Sequence, residues 1–357
     1  MKIIDWYILK KLLSTFIFTI LIFVAVIIII DFTEKNDEFI EHNLSFQQIA
    51  AYYIDFFPWI ANLITPIMIF IATVFVTSKM AGHTELIAIL SSGVSFRRMM
   101  IPYLIGSVLV AGVSFYLSGW LIPESDKDRV AFLVAYTKQP FSYTARDVHI
   151  KVAPESYLYM RNYNNNSKTG YQFTLETVQG NDVREKLSAR RISWQEDSSR
   201  WKLYSWNLRT FDGLNETIEQ GNELDTVLNL TPKYFESNRF LEQALTIDEL
   251  NETIADLRNR GADNVQTYVV EKYIRFMTPF AVIILTFIGL IVSARKSRGG
   301  TGFQIALGFL IAFIYIIAFM MSREFALKGT MNPLLAVWMP NIIFTIVGLV
   351  MYKTVPR

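Results

Sequence analysis

The stretch KMAGHTELIAILSSGVSFRR (residues 79–98) decides how this chain is read. Uncharged runs flank it, Phe56–Ser78 before and Met99–Pro123 after, each long enough to cross a membrane. The stretch itself is too polar for another span and too short for a domain. Yet Leu86, Ile89, Leu90 and Gly93 recur at i, i+3, i+4 and i+7, the spacing of one helix face. Gly82 breaks the preceding span and Thr84 stands where a cap is needed. Glu85 falls in the first turn, where its charge complements the helix dipole. Arg97 and Arg98 mark re-entry. The stretch is expected to be a short amphipathic helix joining two membrane spans.

Four more runs have the same character: Leu12–Ile30, Phe276–Ala294, Gly299–Ser322 and Gly329–Tyr352. Six spans in 357 residues, 52% of them hydrophobic, make this a membrane protein with a helical bundle. The first run ends at Asp31 without a small-residue cleavage site, so it reads as a retained span. Orientation follows from the short loops. Lys2, Lys10, Lys11, Lys79, Arg97, Arg98, Arg295, Lys296, Arg298, Lys353 and Arg357 fall on one side, with only Asp5 and Glu85 against them. The opposite first loop, 31–55, has Lys35 alone among acids. The excess of cations places both termini and residues 79–98 in the cytoplasm.

That topology leaves one large insert, Glu124–Arg275, on the outer side. VHIKV, YLYMRNY, YQFTLETV and RWKLYSWNLRTF are short, aromatic and partly alternating. NNNSKTG, QGND, EDSSR and FDG punctuate them like turns. The pattern suggests an antiparallel sandwich or barrel. A helix follows in TIDELNETIADLRNRG, where Thr246 and Glu249 are spaced as a capping box and Gly261 as a stop. From about Asn264 a second helical stretch runs toward span four.

What is missing bounds the function. No cysteine is present, which removes disulfides, thiolate zinc sites and cysteine nucleophiles. His42, His83 and His149 lie far apart, so no metal site is expected. No glycine precedes lysine, so there is no phosphate-cradling P-loop, and H-E-x-x-H and G-x-S-x-G are absent as well. No catalytic residue, cofactor or nucleic-acid partner is assigned to the chain. The span interiors carry no Asp, Glu, Lys, Arg or His, which suits lipid better than a proton or ion pathway. Asn62, Thr65, Gln304 and Asn341 are expected to bond neighbouring helices or backbone, and Pro58, Pro66, Pro279 and Pro340 to shape kinks.

Two readings of the 79–98 helix stay open. It lies flat among headgroups, or it docks as a knob into a cytoplasmic partner, with its apolar face as anchor and Glu85 as orienting charge. A chain with no nucleotide site, an outer domain and a docking helix fits a separate cytoplasmic ATPase.

The order of parts resembles the LptF/LptG (YjgP/YjgQ) permeases of lipopolysaccharide export. The resemblance rests on the opening DWYILKKLL, on TELIAILSSGVSFRR after span two, on GWLIPESDKDR leaving span three, and on MNPLLAVWMPN entering span six. DWYILKK and MNPLLAVWMPN lean to the G-like type. The resemblance implies an inner-membrane subunit that pairs with a second such permease. A dimeric ABC ATPase binding ATP and Mg would drive it, and a periplasmic bridge protein of the jelly-roll family would take over the lipopolysaccharide. Residues 1–123 would hold spans one to three with the coupling helix at 83–98. Residues 124–243 would form a periplasmic β-jelly-roll, 244–275 a helical connector, and 276–357 spans four to six. Glu85, Leu86, Ile89, Leu90 and Gly93 would form the ATPase-coupling helix, with Glu85 facing the ATPase. Relatives place cations near the outer ends of spans one and three to meet lipid phosphates. Here Lys35, Lys127 and Arg129 stand nearest, although the first span ends in Asp31. The alternative is a membrane protein without transport activity, whose outer β domain binds a partner and whose inner helix anchors or relays a signal.

Overall fold

The computed structural model describes residues 2–136, 147–180, 182–196, 198–213, 215–228, 230–232, 235, 242–259, 265–294 and 300–353, with Gly300 and Thr301 as backbone only. Gly261, Asn264, Arg295, Lys296, Arg298 and Arg357, all used in the sequence reading, lie outside them. The chain forms two compact units. One comprises residues 1–132, 242–250 and 266–357, and the other 133–241 and 251–265.

Among the described residues of the first unit, six helical stretches are long and apolar enough to cross a membrane. Helix α1 (Ile3–Glu41) and α2 (Phe46–Gly82) have 39 and 37 residues. At about 1.5 Å per residue they reach roughly 55–60 Å, about twice the ~30 Å hydrocarbon layer. The run Leu12–Ile30 is therefore only the middle of α1. The turn between them is set by Ser45, which caps α2 and exchanges bonds with Gln48. After α3 (Glu85–Ser91) and α4 (Phe96–Tyr116), span three passes through a π-helical turn, Leu117–Leu121, into α5 (Ile122–Tyr136). Helix continues past Pro123, so the start of the expected β insert is an extension of span three. The π turn has a local cause. A Cβ on Gly119 would lie 2.9 Å from Ile247 Cδ1, and Trp120 Nε1 donates to Asp248 at 3.1 Å. The widened turn thus admits the first residues of α6 (Ile247–Asn259).

Helix α7 (Val265–Ser293) is continuous through the expected boundary at residue 276, so the connector ends as the first part of span four. Helices α8 (Gly300–Leu327) and α9 (Pro333–Lys353) complete the bundle. Helix α2 is the hub. Its membrane window is 67% buried, against 11% for α1 and 22% for α8, so those two present most of their apolar surface outward. Polar residues inside the bundle join helices, as expected. Ser114 Oγ donates to Asn62 Oδ1 (2.6 Å), Thr77 Oγ1 to Tyr103 (2.9 Å), and Asn341 bonds both Tyr315 and the Met277 carbonyl. Gln304 donates to the Ser293 carbonyl (3.4 Å), and Thr65 satisfies itself on the Ala61 carbonyl one turn back.

The second unit holds the strands: β1 (Val148–Ala153), β2 (Ser156–Met160), β3 (Asn162–Asn164), β4 (Thr169–Gln179), β5 (Asp182–Gln195), β6 (Arg200–Asp212) and β7 (Asn215–Thr226). All pairs are antiparallel, in the order β1-β2-β4-β5-β6-β7, with β3 also on β4. The insert is an antiparallel β domain, as the sequence led us to expect. Within the described residues its strands pair in chain order, joined by tight turns. Gly180 (φ 65°) and Gly213 (φ 59°) occupy the two-residue turns before β5 and β7, which need positive φ.

One row crosses β4, β5 and β6 where the in–out alternation slips. Gly170, Ile192 and Leu203 pack inward on one side of it, and Phe173, Ala189 and Trp206 on the other, three positions away rather than two or four. Gln172 and Ser205, both at φ 53°, mark the slip. Such bulges bend a sheet and tighten its twist. The inward face is closed at one end by Trp201, Leu230 and Phe235.

Candidate functional site

The end of the bundle that carries both termini is tied together by three polar contacts around α3. Arg98 Nη2 meets Asp5 Oδ2 at 2.5 Å, and Arg97 Nε donates to Tyr352 at 3.0 Å. Glu85 accepts from Tyr7 (3.0 Å) and from Lys11 Nζ (3.2 Å), while Lys11 also donates to the Tyr7 oxygen (2.9 Å). Burial opposes ionisation of Glu85, but the Lys11 and Tyr7 donors outweigh it and hold the carboxyl below the ordinary carboxylate range. The acid expected to face a partner is thus engaged by α1 of its own chain.

The helix is also shorter and turned differently than its spacing suggested. Only Glu85–Ser91 is α-helical, and Phe96 already begins α4, capped by Ser95. Thr84 stands at the start of α3 at φ 59°, but its hydroxyl bonds the His83 carbonyl and caps nothing. Gly93 ends the turn at φ 90°, a conformation that favours glycine. Leu86 is buried in the bundle core, with Ile89 and Leu90 packed against the same cluster. The apolar stripe therefore seats α3 on its own bundle. Its exposed side carries Ile87 (44% exposed), Ala88 and Ser91. Spacing could not find Ile87, because one isoleucine on the far side makes no stripe.

The other end holds the three cations expected to meet anionic lipid, and each is already engaged. Lys35 pairs with Asp31 and donates to the Tyr52 hydroxyl (2.6 Å), and Tyr52 and Tyr53 also donate to Asp31. Lys127 lies between Glu124 (3.0 Å) and Glu249 (3.4 Å). Arg129 forms a two-pronged pair with Asp126, both buried, and stacks 4.3 Å from the Trp59 ring centroid. Asp31, Glu124, Glu249 and Asp126 supply the countercharges. Three of these acids fall within four residues of the cation they meet, a helix register that sequence can show, whereas Glu249 comes from elsewhere in the chain.

A second arginine holds the chain where it returns to span four. Arg275, 4% exposed, donates to the carbonyls of Leu245 (2.5 Å), Glu242 (3.0 Å) and Gln243 (3.0 Å), and pairs with Glu271 at 3.1 Å. The cation that sequence reasoning missed is Arg323, one residue past the run ending at Ser322. Its Nε is buried with no hydrogen-bond partner, and no ion pair holds its side chain among the described residues. Burial, and after it Glu271, hold the nearby Glu242 carboxyl above its ordinary range, against the pull of Arg323 and Arg275. Among the described residues, the Arg323 guanidinium thus has no ion pair, while those of Arg129 and Arg275 are locked.

Comparison with known proteins places this arrangement. A family model described as lipopolysaccharide export system permease LptF/LptG matches residues 6–354, nearly the whole chain. No curated protein matches it in a sequence search.

Proposed function

This chain belongs to the LptF/LptG family of lipopolysaccharide export permeases, and from that premise we propose that it is one of two paired subunits of an ATP-driven lipopolysaccharide extractor. The observation that carries the proposal is the family match running through six spans and the β insert between them. The chain itself performs no hydrolysis in this reading. A cytoplasmic ABC ATPase dimer binds ATP and Mg, closes, and presses on the exposed side of α3 around Ile87. The spans carry the displacement outward and narrow a cavity between the two permeases. Burying acyl chains is worth about 0.8 kcal/mol per CH₂, so lifting a lipid with several chains is strongly uphill and needs that external drive. The β insert then offers its apolar inner face, and a periplasmic bridge protein of the jelly-roll family takes the lipid on.

The headgroup phosphates have a natural contact in Arg323. It lies in the last turns of α8, and guanidinium matches phosphate geometry. The test uses the complex purified with its native partners and placed in vesicles loaded with lipopolysaccharide. Lipid should leave the vesicles only when ATP is supplied. A hydrogen bond to a charged group is worth about 1.5–3 kcal/mol, so Arg323→Ala should weaken lipid retention roughly tenfold or more. ATP turnover without lipid release would sink the functional reading, and full retention in the variant would remove Arg323 from it.

Orientation gives a second test. The chain has no native cysteine, so single cysteines can be labelled cleanly. Ser167→Cys should react with an impermeant thiol reagent from the periplasmic side, and Ser91→Cys only from the cytoplasm. Both positions are exposed. Reaction of Ser167→Cys from the cytoplasm alone would invert the topology.

A further inference from the structure

The slip row of the β domain has an outward side as well as an inward one. A pleat sends neighbouring side chains to opposite faces, so two in succession rarely share one. At the slip, Gly170 and Phe173, Ala189 and Ile192, and Leu203 and Trp206 all turn inward, and the two residues between each couple face out together. These are Tyr171 and Gln172 on β4, Arg190 and Arg191 on β5, and Tyr204 and Ser205 on β6. Arg161 and Asn162 repeat the pattern between buried Met160 and Tyr163, and Arg161 donates to Gln172 at 3.4 Å. The result is a double row with no acid and no aliphatic side chain in it. Arg191 stands in register between Tyr171 and Tyr204 and lies 4.0 Å from the Tyr204 ring centroid, while Tyr171 stays 39% exposed. The charge of the row is uncompensated. Among the described residues, Lys168, Lys186, Lys202 and Arg209 of this domain each hold an acid, whereas no ion pair holds Arg161, Arg190 or Arg191. The acids that flank the row are engaged: Glu223, opposite Tyr204, pairs with Lys202, and Asp147 accepts from Tyr159 at 2.7 Å.

We infer that this double row binds the anionic sugars of the exported lipid. This rests on the lipopolysaccharide-export reading for the ligand and on the slip geometry for the site. Guanidinium forks take phosphate or carboxylate in two-pronged bonds. The amides of Asn162 and Gln172 and the Ser205 hydroxyl match sugar hydroxyls, and tyrosine offers an apolar ring face beside a polar tip. A protein partner calls for an apolar centre and a bilayer for an apolar face to insert, and the row supplies neither. The inward side of the same strands is apolar. One sheet thus offers hydrocarbon a place on one face and charged saccharide a place on the other. Packed sheets lie about 10 Å apart, a distance that a glycan of several sugars exceeds, so it can pass round a strand edge from one face to the other.

The probe is lipopolysaccharide stripped of its acyl chains by alkali, titrated into the full chain in detergent. Wild type should bind it saturably. Arg190→Gln combined with Arg191→Gln should weaken binding roughly tenfold or more, since charge-assisted contacts are lost. Both side chains are exposed, so the thermal midpoint should hold. Tyr171→Ala should weaken binding as well, which a site for phosphate alone would not show. Arg184→Gln removes an exposed cation of the same strand, roughly 20 Å from Arg190 and beyond the ~8 Å screening length, and should stay within about twofold of wild type. An equal loss on Arg184→Gln, or equal binding of dextran sulfate, would reduce the effect to general charge and overturn the proposal. Undiminished saccharide binding in the double arginine variant would overturn it too, and loss of a co-purifying protein from that variant would then hand the row to a protein partner. ATP-driven lipid release by a chain that binds no saccharide removes this site alone. Saccharide binding without such release removes the export reading and leaves the site.

Discussion

Arg275→Ala is expected to be the most damaging single substitution outside the spans' apolar packing. The guanidinium closes the Glu242, Gln243 and Leu245 carbonyls at once and neutralises Glu271, all in a site where its own side chain is 4% exposed. Its removal leaves a carboxylate and three carbonyls without their donor. Breaking a buried pair from one side costs about 3–5 kcal/mol. The loss should appear as a lowered thermal midpoint in detergent and as new protease cleavage around residues 242–246. Arg275→Lys should recover only part of it, because one ammonium cannot reproduce a planar fork that spans several acceptors. An unchanged midpoint for Arg275→Ala would show that the return segment is held by something else.

Asp126→Ala should be nearly as severe, for a related reason. Arg129 and Asp126 are 5% and 0% exposed, and the guanidinium lies against Trp59. Removing the acid strands a cation among aromatic rings, again at about 3–5 kcal/mol. Replacing both members, Asp126→Ala with Arg129→Met, should be milder than Asp126→Ala alone, since an apolar pair of similar volume has no charge to strand. The comparison also distinguishes two roles for Arg129. A phosphate-binding arginine would lose lipid affinity on substitution while the protein stayed stable. We expect the reverse, a destabilised protein with lipid retention still governed by Arg323. Equal midpoints for wild type and Asp126→Ala would overturn this assignment.

The membrane half of the architecture was legible because hydrocarbon imposes a long, uncharged run on every crossing. Each of the six runs coincides with an observed helix save for a few end residues, chiefly 329–332 before α9. What hydropathy could not show is that helices outlast the layer they cross. The charged tail of α1 to Glu41 and the run of α5 to Tyr136 are helical without being apolar. In the β domain, four quoted segments correspond to β1, β2 with β3, β4 and β6. Strand β5 was missed. DVREKLSARRISWQ is crowded with charge, yet it lies between β4 and β6 and takes its backbone bonds from both. Strand β7, NETIEQGNELDT, is an edge, and charged side chains there are expected because they discourage further pairing. Neither strand advertises itself through hydrophobicity, since each owes its conformation to its neighbours.

The candidate site was less legible, because sequence gives a residue's type and spacing but not its partner. The stripe Leu86, Ile89 and Leu90 identified a real amphipathic turn, but a stripe does not say whether it faces another protein, a lipid surface or its own bundle. The cations at the far end were found by position, and their neutralisation by Glu249 and Asp126 depends on tertiary approach or on burial. Arg323 escaped because it stands just beyond a run defined by the absence of charge.

The slip row in the β domain has a bearing on how such a domain can change over evolutionary time. In an ordinary pleat, loss of one residue from a strand inverts everything after it, and selection removes the result. Here β4, β5 and β6 have all undergone the same inversion at the same level, so their faces match again on both sides of it. The three offsets depend on one another. Deleting Gln172 alone would leave β4 out of phase with two neighbours that keep the shift, setting Phe173 opposite Arg190 and Thr174 opposite the inward Ala189. Length changes at this level are therefore tolerable only together, one per strand. The crease is inherited whole or not at all, and relatives that have lost it should have lost it from all three strands.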